Sequence, residues 1–448
     1  MTRLHLTVLA AALLAVAGPA SAKSLTVGAN VGSAEPLLAN AWLCSRGVSL
    51  HGAGFIVSPA EATLLGLGSR EGLEKHIRPY CHGRDLTART RGAMVIDLLD
   101  LSEAEVRQRF PEVYGHLLRR VKPERDGNAR ATYCDQWWLF GEPRRELRPA
   151  LEGLSRYIAT VETAKHRLFQ FLSANTLPDN MLVCVASEAA LHLGVLSSST
   201  SLAWTYANCG LMGVAKFEQG HRYTKTQVFD PFPFPDASDD SARIIAELAE
   251  ELDATRKRIL AAVPDLTLTG LYNLRAKLIA GARLSHEDED LRRAASVDLI
   301  ARLHDQIDAA VIAAYGWPAT VTAPEMVERL VALNAARRAE ERGGRVQWLR
   351  PDFQSRRAGA TPLTPAERAL PLAEPALAKP AFPRDLGGRI ASIFALLGTD
   401  HSLSATAIAQ HFAQGRQVER AVAAALAGAV RLGYVAQGPE GYRLRRVA

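Results

Sequence analysis

The chain is poor in several features that would restrict its class at once. Its 448 residues contain five cysteines and no Cys-x-x-Cys pair. An odd cysteine count without paired spacing argues against both a disulfide framework and a zinc knuckle. The apolar run at residues 4–18 is too short to cross a bilayer. We therefore expect free thiols in a reducing cytoplasm, no bound metal and no membrane partner.

The first 24 residues allow two interpretations. A charged start, an apolar middle and the small residues before Lys23 are typical of a cleaved secretory signal. Alternatively, the segment is the remnant of a longer polypeptide, left by truncation or by a misplaced start codon. The first interpretation supports an exported protein of unknown activity, and the second supports a cytoplasmic one.

Length and charge set looser bounds on function. A chain of 448 residues exceeds a single hydrophobic core, so we expect two to four domains. The formal net charge of +6 permits an acidic partner such as nucleic acid, although it does not require one. No single run of like charge marks a disordered basic tail.

A change of composition at residues 223–235 divides the chain. Three prolines alternate with two phenylalanines in Pro231-Phe232-Pro233-Phe234-Pro235. This pattern predicts that residues 223–235 form an extended strap whose rings dock on a neighbouring surface. Tryptophan, tyrosine, glycine and cysteine are frequent before the strap, whereas helix formers dominate after it. The strap is therefore a predicted domain boundary, and the alternative is an ordinary proline-rich linker.

The predicted fold class is α+β. Residues 25–235 mix short strand patterns, such as residues 53–57 and 94–98, with helix starts such as Pro59. Residues 236–350 carry repeated apolar stripes that predict a helical bundle, beginning at the N-cap residues 238–241. Residues 351–387 are rich in proline and alanine and predict a linker. Residues 388–448 predict three helices and a hairpin, a winged-helix-like domain that serves DNA binding or protein docking.

The pair Trp137-Trp138 stands beside several arginines. Such rings can stack on nucleic-acid bases, but tryptophan is also a common core residue. Both interpretations stay open at the level of the sequence.

The order of several segments resembles the C-terminal half of the MmeI-like DNA methyltransferases of type II restriction-modification. The resemblance extends from about Leu25 to the end of the chain and includes the strap. Its other motifs are Gly83-Arg84-Asp85, Trp137-Trp138-x-Phe140-Gly141-Glu142-Pro143-Arg144, residues 156–160 and residues 194–198. One departure is Ser199-Thr200-Ser201, where the family usually carries a basic residue and a histidine. The resemblance implies a target recognition domain that binds double-stranded DNA.

The motifs of methyl transfer itself do not occur in these residues. An adenine methyltransferase of this type needs a glycine-rich loop for S-adenosylmethionine and an Asn-Pro-Pro-aromatic tetrapeptide for the flipped adenine. The sequence contains neither, and it shows no nuclease-like acidic cluster. We therefore predict no catalytic residue and no bound cofactor in this chain. The complete enzyme would use S-adenosylmethionine, with the catalytic part in a separate methyltransferase polypeptide or in a segment lost by truncation.

Candidate DNA-binding residues follow from charge and position. The loop before the strap mixes side chains that can pair with base edges, and it supplies the predicted base readers Lys216, Glu218 and Arg222. An ordinary solvated loop has the same composition. The predicted contacts to the DNA backbone are Arg84, Arg125, Arg144, Arg156, Lys165 and His221. The arginines and the lysine can also be surface salt-bridge partners of nearby carboxylates.

Overall fold

The computed structural model describes residues 34–212, 220–359, 381–383, 385–397, 402–438 and 441–444. The chain divides into two compact units, residues 1–362 and 363–448. Helices alternate with small sheets along the first unit, which confirms the predicted α+β class. The predicted leader lies outside the described residues. Within the described ranges, no helix has the length and apolar character needed to span a bilayer.

The strands are short and form four sheets. Their bounds are β1 Cys44–Arg46, β2 Ile56–Val57, β3 Ile77–Cys81, β4 Met94–Ile96, β5 Arg156–Val161, β6 Thr163–Ala164, β7 Gln170–Ser173, β8 Leu177–Pro178, β9 Leu182–Val185, β10 Gly210–Met212, β11 Gly220–Arg222, β12 Val435–Gly438 and β13 Gly441–Leu444. The two larger sheets have the orders β1-β9-β5-β7 and β2-β4-β3-β8. The two smaller ones are the ribbon β10-β11-β6 and the hairpin β12-β13.

The central strands β5 and β9 are covered on both faces. Alternate residues of a strand point to opposite faces of the sheet. Ile158, Val183 and Val185 accordingly join one apolar cluster, whereas Tyr157 and Cys184 join another. The antiparallel register pairs Ile158 with Val185. This double burial explains why both strands are continuous runs of apolar and β-branched residues.

The second sheet contains the strands that were predicted around residues 53–57 and 94–98. Only Ile56 and Val57 are extended there, because Ala53–Phe55 form a 3-10 turn. The helix predicted at Pro59 begins at that residue, with Ser58 and Glu61 forming a capping box. β3 pairs antiparallel with β4 and parallel with β8, and it therefore links the two halves of this sheet.

Trp137 and Trp138 belong to the core beside this sheet. Trp137 is buried and packs edge-on against Trp138. The Trp138 indole nitrogen donates a hydrogen bond to the Leu101 carbonyl at 2.9 Å. The core interpretation of the pair therefore fits the structure.

Helices make up about half of the described residues of the first unit. Its helices are α1 Pro59–Leu64, α2 Gly83–Thr87, α3 Glu103–Arg109, α4 Pro111–Arg120, α5 Lys122–Asp126, α6 Ala131–Asp135, α7 Leu147–Leu151, α8 Ala190–Ser197, α9 Ser199–Asn208, α10 Asp239–Ala262, α11 Leu268–Ile279, α12 His286–Ala294, α13 Val297–Ala314, α14 Ala323–Arg342 and α15 Pro351–Ala358. Ser238 caps α10, as predicted, by accepting a hydrogen bond from the Ser241 backbone N–H. The buried stripe of α10 includes Ile245, Leu252 and Ile259, but Ile244 is exposed.

The strap lies inside a core that both neighbouring regions share. Its first part is a π-helical turn, Lys225–Phe229, and the segment after it is irregular. Phe229, Phe232 and Phe234 are buried in one apolar cluster with strands β5 and β9 and helices α10 and α13. The buried Asn40 amide donates hydrogen bonds to the strap carbonyls of Phe229 and Phe232 at 2.9 and 2.7 Å. The rings dock as expected, but the composition boundary at Pro235 does not separate two cores.

The first residues of the predicted linker are helical. Residues 351–358 are the helix α15, whose buried Gln354 side chain donates to the carbonyls of Ala39 and Ala41. The residues that follow, 360–380, lie outside the described ones. In the second unit, α16 Leu386–Leu396, α17 Ala405–Gln410 and α18 Glu419–Arg431 precede the hairpin, in the order that the sequence predicts.

Candidate nucleic-acid interface

The ribbon β10-β11-β6 carries the end of the predicted reading loop. Lys216 and Glu218 lie outside the described residues, so the structure does not place them. Arg222 is the last residue of β11, and it pairs with Gly210 of β10 and Thr163 of β6. The strand β11, which carries His221 and Arg222, therefore lies between β10 and β6.

Glu162, between β5 and β6, joins Arg222 to a residue far away in the chain. One carboxylate oxygen, Oε1, accepts a hydrogen bond from Arg222 Nε at 3.1 Å. The other, Oε2, accepts one from Arg46 Nη2 at 2.8 Å. Arg46 Nε also donates to the Asn180 carbonyl at 3.1 Å. One carboxylate therefore fixes two guanidinium groups side by side.

A second carboxylate, Asp85, holds Arg91 in the same way. Arg91 Nε donates to Asp85 Oδ1 at 2.9 Å and its Nη2 to Oδ2 at 2.8 Å, a bidentate pair. Burial by itself would raise the pKa of Asp85, but the hydrogen bonds from Arg91 and from the His82 backbone N–H lower it below its ordinary value. Asp85 is therefore ionised at neutral pH, and it keeps the Arg91 guanidinium in one orientation.

A third carboxylate, Asp179, lies under a small cavity of about 270 Å³. It accepts hydrogen bonds from the Tyr80 hydroxyl and, at 2.9 Å, from the Met181 backbone N–H. His82 Nε2 lies 3.6 Å from its Oδ1. Arg91, His82 and Asn180 all line the cavity.

These groups are connected through neighbouring residues. Asn180 belongs to the cavity and also binds Arg46, while Gly83 at the start of α2 packs against Val161 and Met181. Arg84, next on α2, is exposed. We use the name arginine face for Arg46, His82, Arg84, Arg91 and Arg222.

The arginine face separates charge by depth. The side chains of Arg46, Arg222 and Arg91 are 37%, 41% and 52% exposed. Their carboxylate partners Glu162 and Asp85 are only 9% and 2% exposed. A ligand at this surface meets cationic N–H donors, because the compensating anions lie beneath them. Such an arrangement suits a phosphate or a base edge rich in acceptors.

Arg167 adds a buried positive charge behind the ribbon. Its guanidinium donates to the backbone carbonyls of Val161, Glu162 and His221, at 3.2 Å for Glu162 and 2.7 Å for His221. Burial lowers the pKa of Arg167 to about 10, so the group stays charged at neutral pH. It ties β11 to the end of β5 and raises the positive potential of the arginine face.

The structure contradicts the prediction that Arg125 contacts the DNA backbone. Its side chain is 1% exposed, and its Nη2 donates to the carbonyls of Leu50 and Leu139 at 2.9 and 3.0 Å. The guanidinium carbon also lies 4.8 Å from the Tyr133 ring centroid. A group enclosed in this way cannot reach a DNA phosphate, so Arg125 is a structural residue.

For Arg156 and Arg144 the structure shows ion pairs, which was the alternative interpretation. Arg156 pairs with Glu250 of α10, and its guanidinium carbon lies 3.7 Å from the Phe171 ring centroid. Arg144 pairs with Glu142 and donates from Nε to the Gly47 carbonyl at 3.2 Å. Neither residue belongs to the arginine face.

The remaining predicted backbone contacts lie near the ribbon. Lys165 follows β6 and is exposed. His221 lies 3.4 Å from the Cys209 sulfur through Nδ1, and its ring centroid is 4.3 Å from that of Tyr206. Burial, with a smaller contribution from Arg167, lowers the pKa of His221, so a contact to phosphate would come from a neutral ring.

Sequence reasoning missed Arg46, Arg91 and His82. Arg46 is 116 residues from Glu162, and no local pattern connects the two. Arg91 could have been found through Gly83-Arg84-Asp85, because an aspartate at the third position of a short helix attracts a nearby cation.

All five cysteines are unpaired, and burial raises the pKa of Cys44 and Cys184.

The fold of the chain is similar to that of the type IIL restriction-modification enzyme MmeI. A solved structure of MmeI in complex with DNA matches with a TM-score of 0.50 and 17% sequence identity. The alignment covers 68% of this chain and 36% of MmeI, so the chain spans about a third of the length of that enzyme. At this identity the likeness is one of fold. No protein-family model and no curated protein sequence matches the chain.

Proposed function

We propose that this chain recognises double-stranded DNA, as the target-recognition portion of an MmeI-like adenine-N6 methyltransferase of restriction-modification. The observation that carries the proposal is the arginine face, whose exposed guanidinium groups rest on buried carboxylates. The likeness of fold to an enzyme solved with DNA supports it. We also propose that the protein is cytoplasmic, where such an enzyme meets DNA.

In this proposal Arg222 reads a base. A guanidinium group binds the two acceptors of guanine in the major groove through two parallel N–H donors. Glu162 accepts a hydrogen bond from Arg222 Nε, and the two terminal nitrogens of Arg222 are the proposed donors to the base. Lys216 and Glu218, in the loop that ends at β11, would contact neighbouring bases. Reading by a residue that is already oriented costs less conformational entropy on binding.

The other cations would hold the DNA backbone. Arg84 and Lys165 were predicted from the sequence as backbone contacts. Arg46 and Arg91 are added because they belong to the arginine face. His221 would contribute a neutral hydrogen-bond donor. Phosphate contacts of this kind fix register and orientation, while the base contacts give specificity.

Methyl transfer would require residues outside this chain. S-adenosylmethionine and the flipped adenine each need a motif that the sequence lacks. We therefore assign the donor and the chemistry to a separate methyltransferase polypeptide or to a segment lost by truncation, and we assign recognition to this chain.

The test is a binding measurement with the purified chain at several salt concentrations. We expect duplex affinity to fall steeply with salt, with a logarithmic slope of about −0.9 for each phosphate contact. The variant Arg46→Gln/Arg91→Gln/Arg222→Gln should bind more weakly and with a shallower slope. A control that removes the same charge from other exposed positions, Arg258→Gln/Arg283→Gln/Arg302→Gln, should bind like the unmodified chain.

Two results would overturn the proposal. One is a chain that binds no duplex at low ionic strength. The other is an equal loss of affinity in the arginine-face variant and the control, since net charge alone would then explain the binding.

A further inference from the structure

A second cationic surface lies at the other end of β3 from the arginine face. Two open cavities of about 570 and 380 Å³ share the side chains of Arg78 and Arg148 and form one elongated trough. The trough is lined by six cationic residues: Lys75, Arg78, Arg109, Arg144, Arg145 and Arg148. Leucines such as Leu147 and Leu177 supply apolar walls.

The centre of the trough is rigidly built. Arg148 binds Asp97 with both terminal nitrogens, at 2.9 Å for Nη2 to Oδ1, and its Nε donates to the Pro143 carbonyl at 3.2 Å. Arg78 donates to the Ala174 and Asn175 carbonyls at 3.0 and 3.1 Å, and its Nη1 lies 3.9 Å from Asp97. Two guanidinium groups thus share one buried carboxylate, which leaves excess positive charge.

The cations form three sets along the trough. Lys75 and Arg109 line the smaller cavity, Arg78 and Arg148 lie where the cavities join, and Arg144 and Arg145 line the larger cavity. The carboxylates that line the trough are Asp97, Asp100 and Glu152, and Glu142 pairs with Arg144, so the six cations still outnumber the carboxylates.

We infer that the trough binds successive phosphates of a nucleic-acid strand. Three separated sets of cations suit a ligand with repeated negative charges better than a single phosphate ion, which one set would satisfy. The inference rests on the proposed function, because it gives the same DNA-binding chain a second contact to the backbone. β3 has five residues, so the trough and the arginine face are separated by roughly 15 Å along the strand.

The inference predicts a different mutational signature for each surface. The arginine face contains a base reader, so changes there should alter sequence preference. The trough contacts only phosphates, so the variant Lys75→Gln/Arg109→Gln/Arg145→Gln should weaken binding to every duplex by the same factor. We expect its salt dependence to become shallower by about one unit for each phosphate that the variant no longer binds. Arg78 and Arg148 stay unchanged in this variant, which preserves their bonds to Asp97.

Two probes make the test decisive. One is a duplex oligonucleotide, titrated by fluorescence anisotropy at several salt concentrations, and the other is inorganic pyrophosphate, titrated by calorimetry. We expect the unmodified chain and the control Arg258→Gln/Arg283→Gln/Arg302→Gln to bind both probes. The trough variant should bind pyrophosphate several-fold more weakly and should also lose several-fold in duplex affinity, with an unchanged thermal unfolding midpoint.

Other outcomes overturn the inference in distinguishable ways. Loss of pyrophosphate binding with an unchanged salt slope on duplex would assign the trough to a small phosphorylated ligand. No effect of the trough variant on either probe would remove the site. Absence of duplex binding in the unmodified chain would defeat the proposed function and the nucleic-acid ligand together, and pyrophosphate binding would then show whether an anion site remains.

Discussion

The arginines of the first unit fall into two groups that use the same side chain for different purposes. On the arginine face, Arg91 is exposed, Arg46 and Arg222 are half-buried, and each binds a buried carboxylate. In the interior, Arg125 and Arg256 are almost fully enclosed and donate to neutral acceptors. The partner, and not the residue type, decides whether an arginine supports the fold or is available to a ligand.

The physical reason lies in desolvation. An enclosed guanidinium group loses its water, and every hydrogen bond that replaces this water is needed for stability. An exposed group on a carboxylate keeps much of its hydration, so the pair contributes little to stability but orients the remaining donors. Substitution of an enclosed arginine should therefore cost much more stability than substitution of an arginine on the arginine face.

The largest expected effect is on stability, at Arg256. This residue donates to the Phe169 carbonyl at 2.8 Å and to the Tyr272 hydroxyl at 2.7 Å through Nε. We expect Arg256→Met to lower the free energy of unfolding by about 3 kcal/mol, because both buried acceptors lose their donor. Denaturant unfolding measures the change. Arg46→Met is the matched control, with an expected loss below about 1 kcal/mol, and equal losses would contradict the distinction between the two groups.

The next largest expected effect is the dependence of stability on pH through a buried carboxylate. Asp308 accepts a hydrogen bond from the Ser199 backbone N–H at 2.6 Å, and burial raises its pKa to about 6. Because the folded state binds this proton more tightly than the unfolded state, stability should fall as pH rises from about 4 to about 6. Asp308→Asn should remove this dependence and be more stable at pH 7 by at most about 3 kcal/mol.

The control for that experiment is Asp85→Asn. The folded-state pKa of Asp85 is lowered, so its charge stabilises the fold above its unfolded pKa and this contribution is lost on acidification. The two variants should therefore deviate from the unmodified chain in opposite directions at pH 7. Unfolding curves between pH 4 and pH 7.5 that move in the same direction would contradict this assignment.

The smallest expected effect concerns specificity, at Glu162. In Glu162→Gln the carboxylate that orients Arg46 and Arg222 is lost, whereas the size of the side chain is kept. We expect the ratio of affinities for the preferred duplex and its single-base variants to fall by about tenfold, within the usual worth of one base contact. Competition binding measures this ratio. Glu142→Gln, which frees Arg144 instead, should leave it unchanged.

Local features were predictable because neighbouring residues cause them. The helix at Pro59, the cap at Ser238 and the buried rings of the strap follow from patterns within a few residues. The base-edge and phosphate roles of Lys216, Glu218 and Arg84 remain predictions. The shared core across Pro235 was not predictable, because composition changes there while packing does not.

The arginines show where prediction from sequence fails. Nothing near Arg125 in the chain distinguishes it from Arg84, yet one is enclosed and the other exposed. Arg46 was not predicted as a site residue, because its partner Glu162 is distant in sequence. Burial and charge pairing depend on contacts between remote segments, which periodicity and composition do not report.

The residue order of this chain set its secondary structure, its mixed α+β class and the segment where aromatic rings pack, since these depend on short-range sterics and hydrogen bonding. Only the folded arrangement selected which cations face solvent and which are enclosed. That selection depends on the surroundings of each guanidinium group, and here the surroundings come from strands and helices that are far apart in the chain.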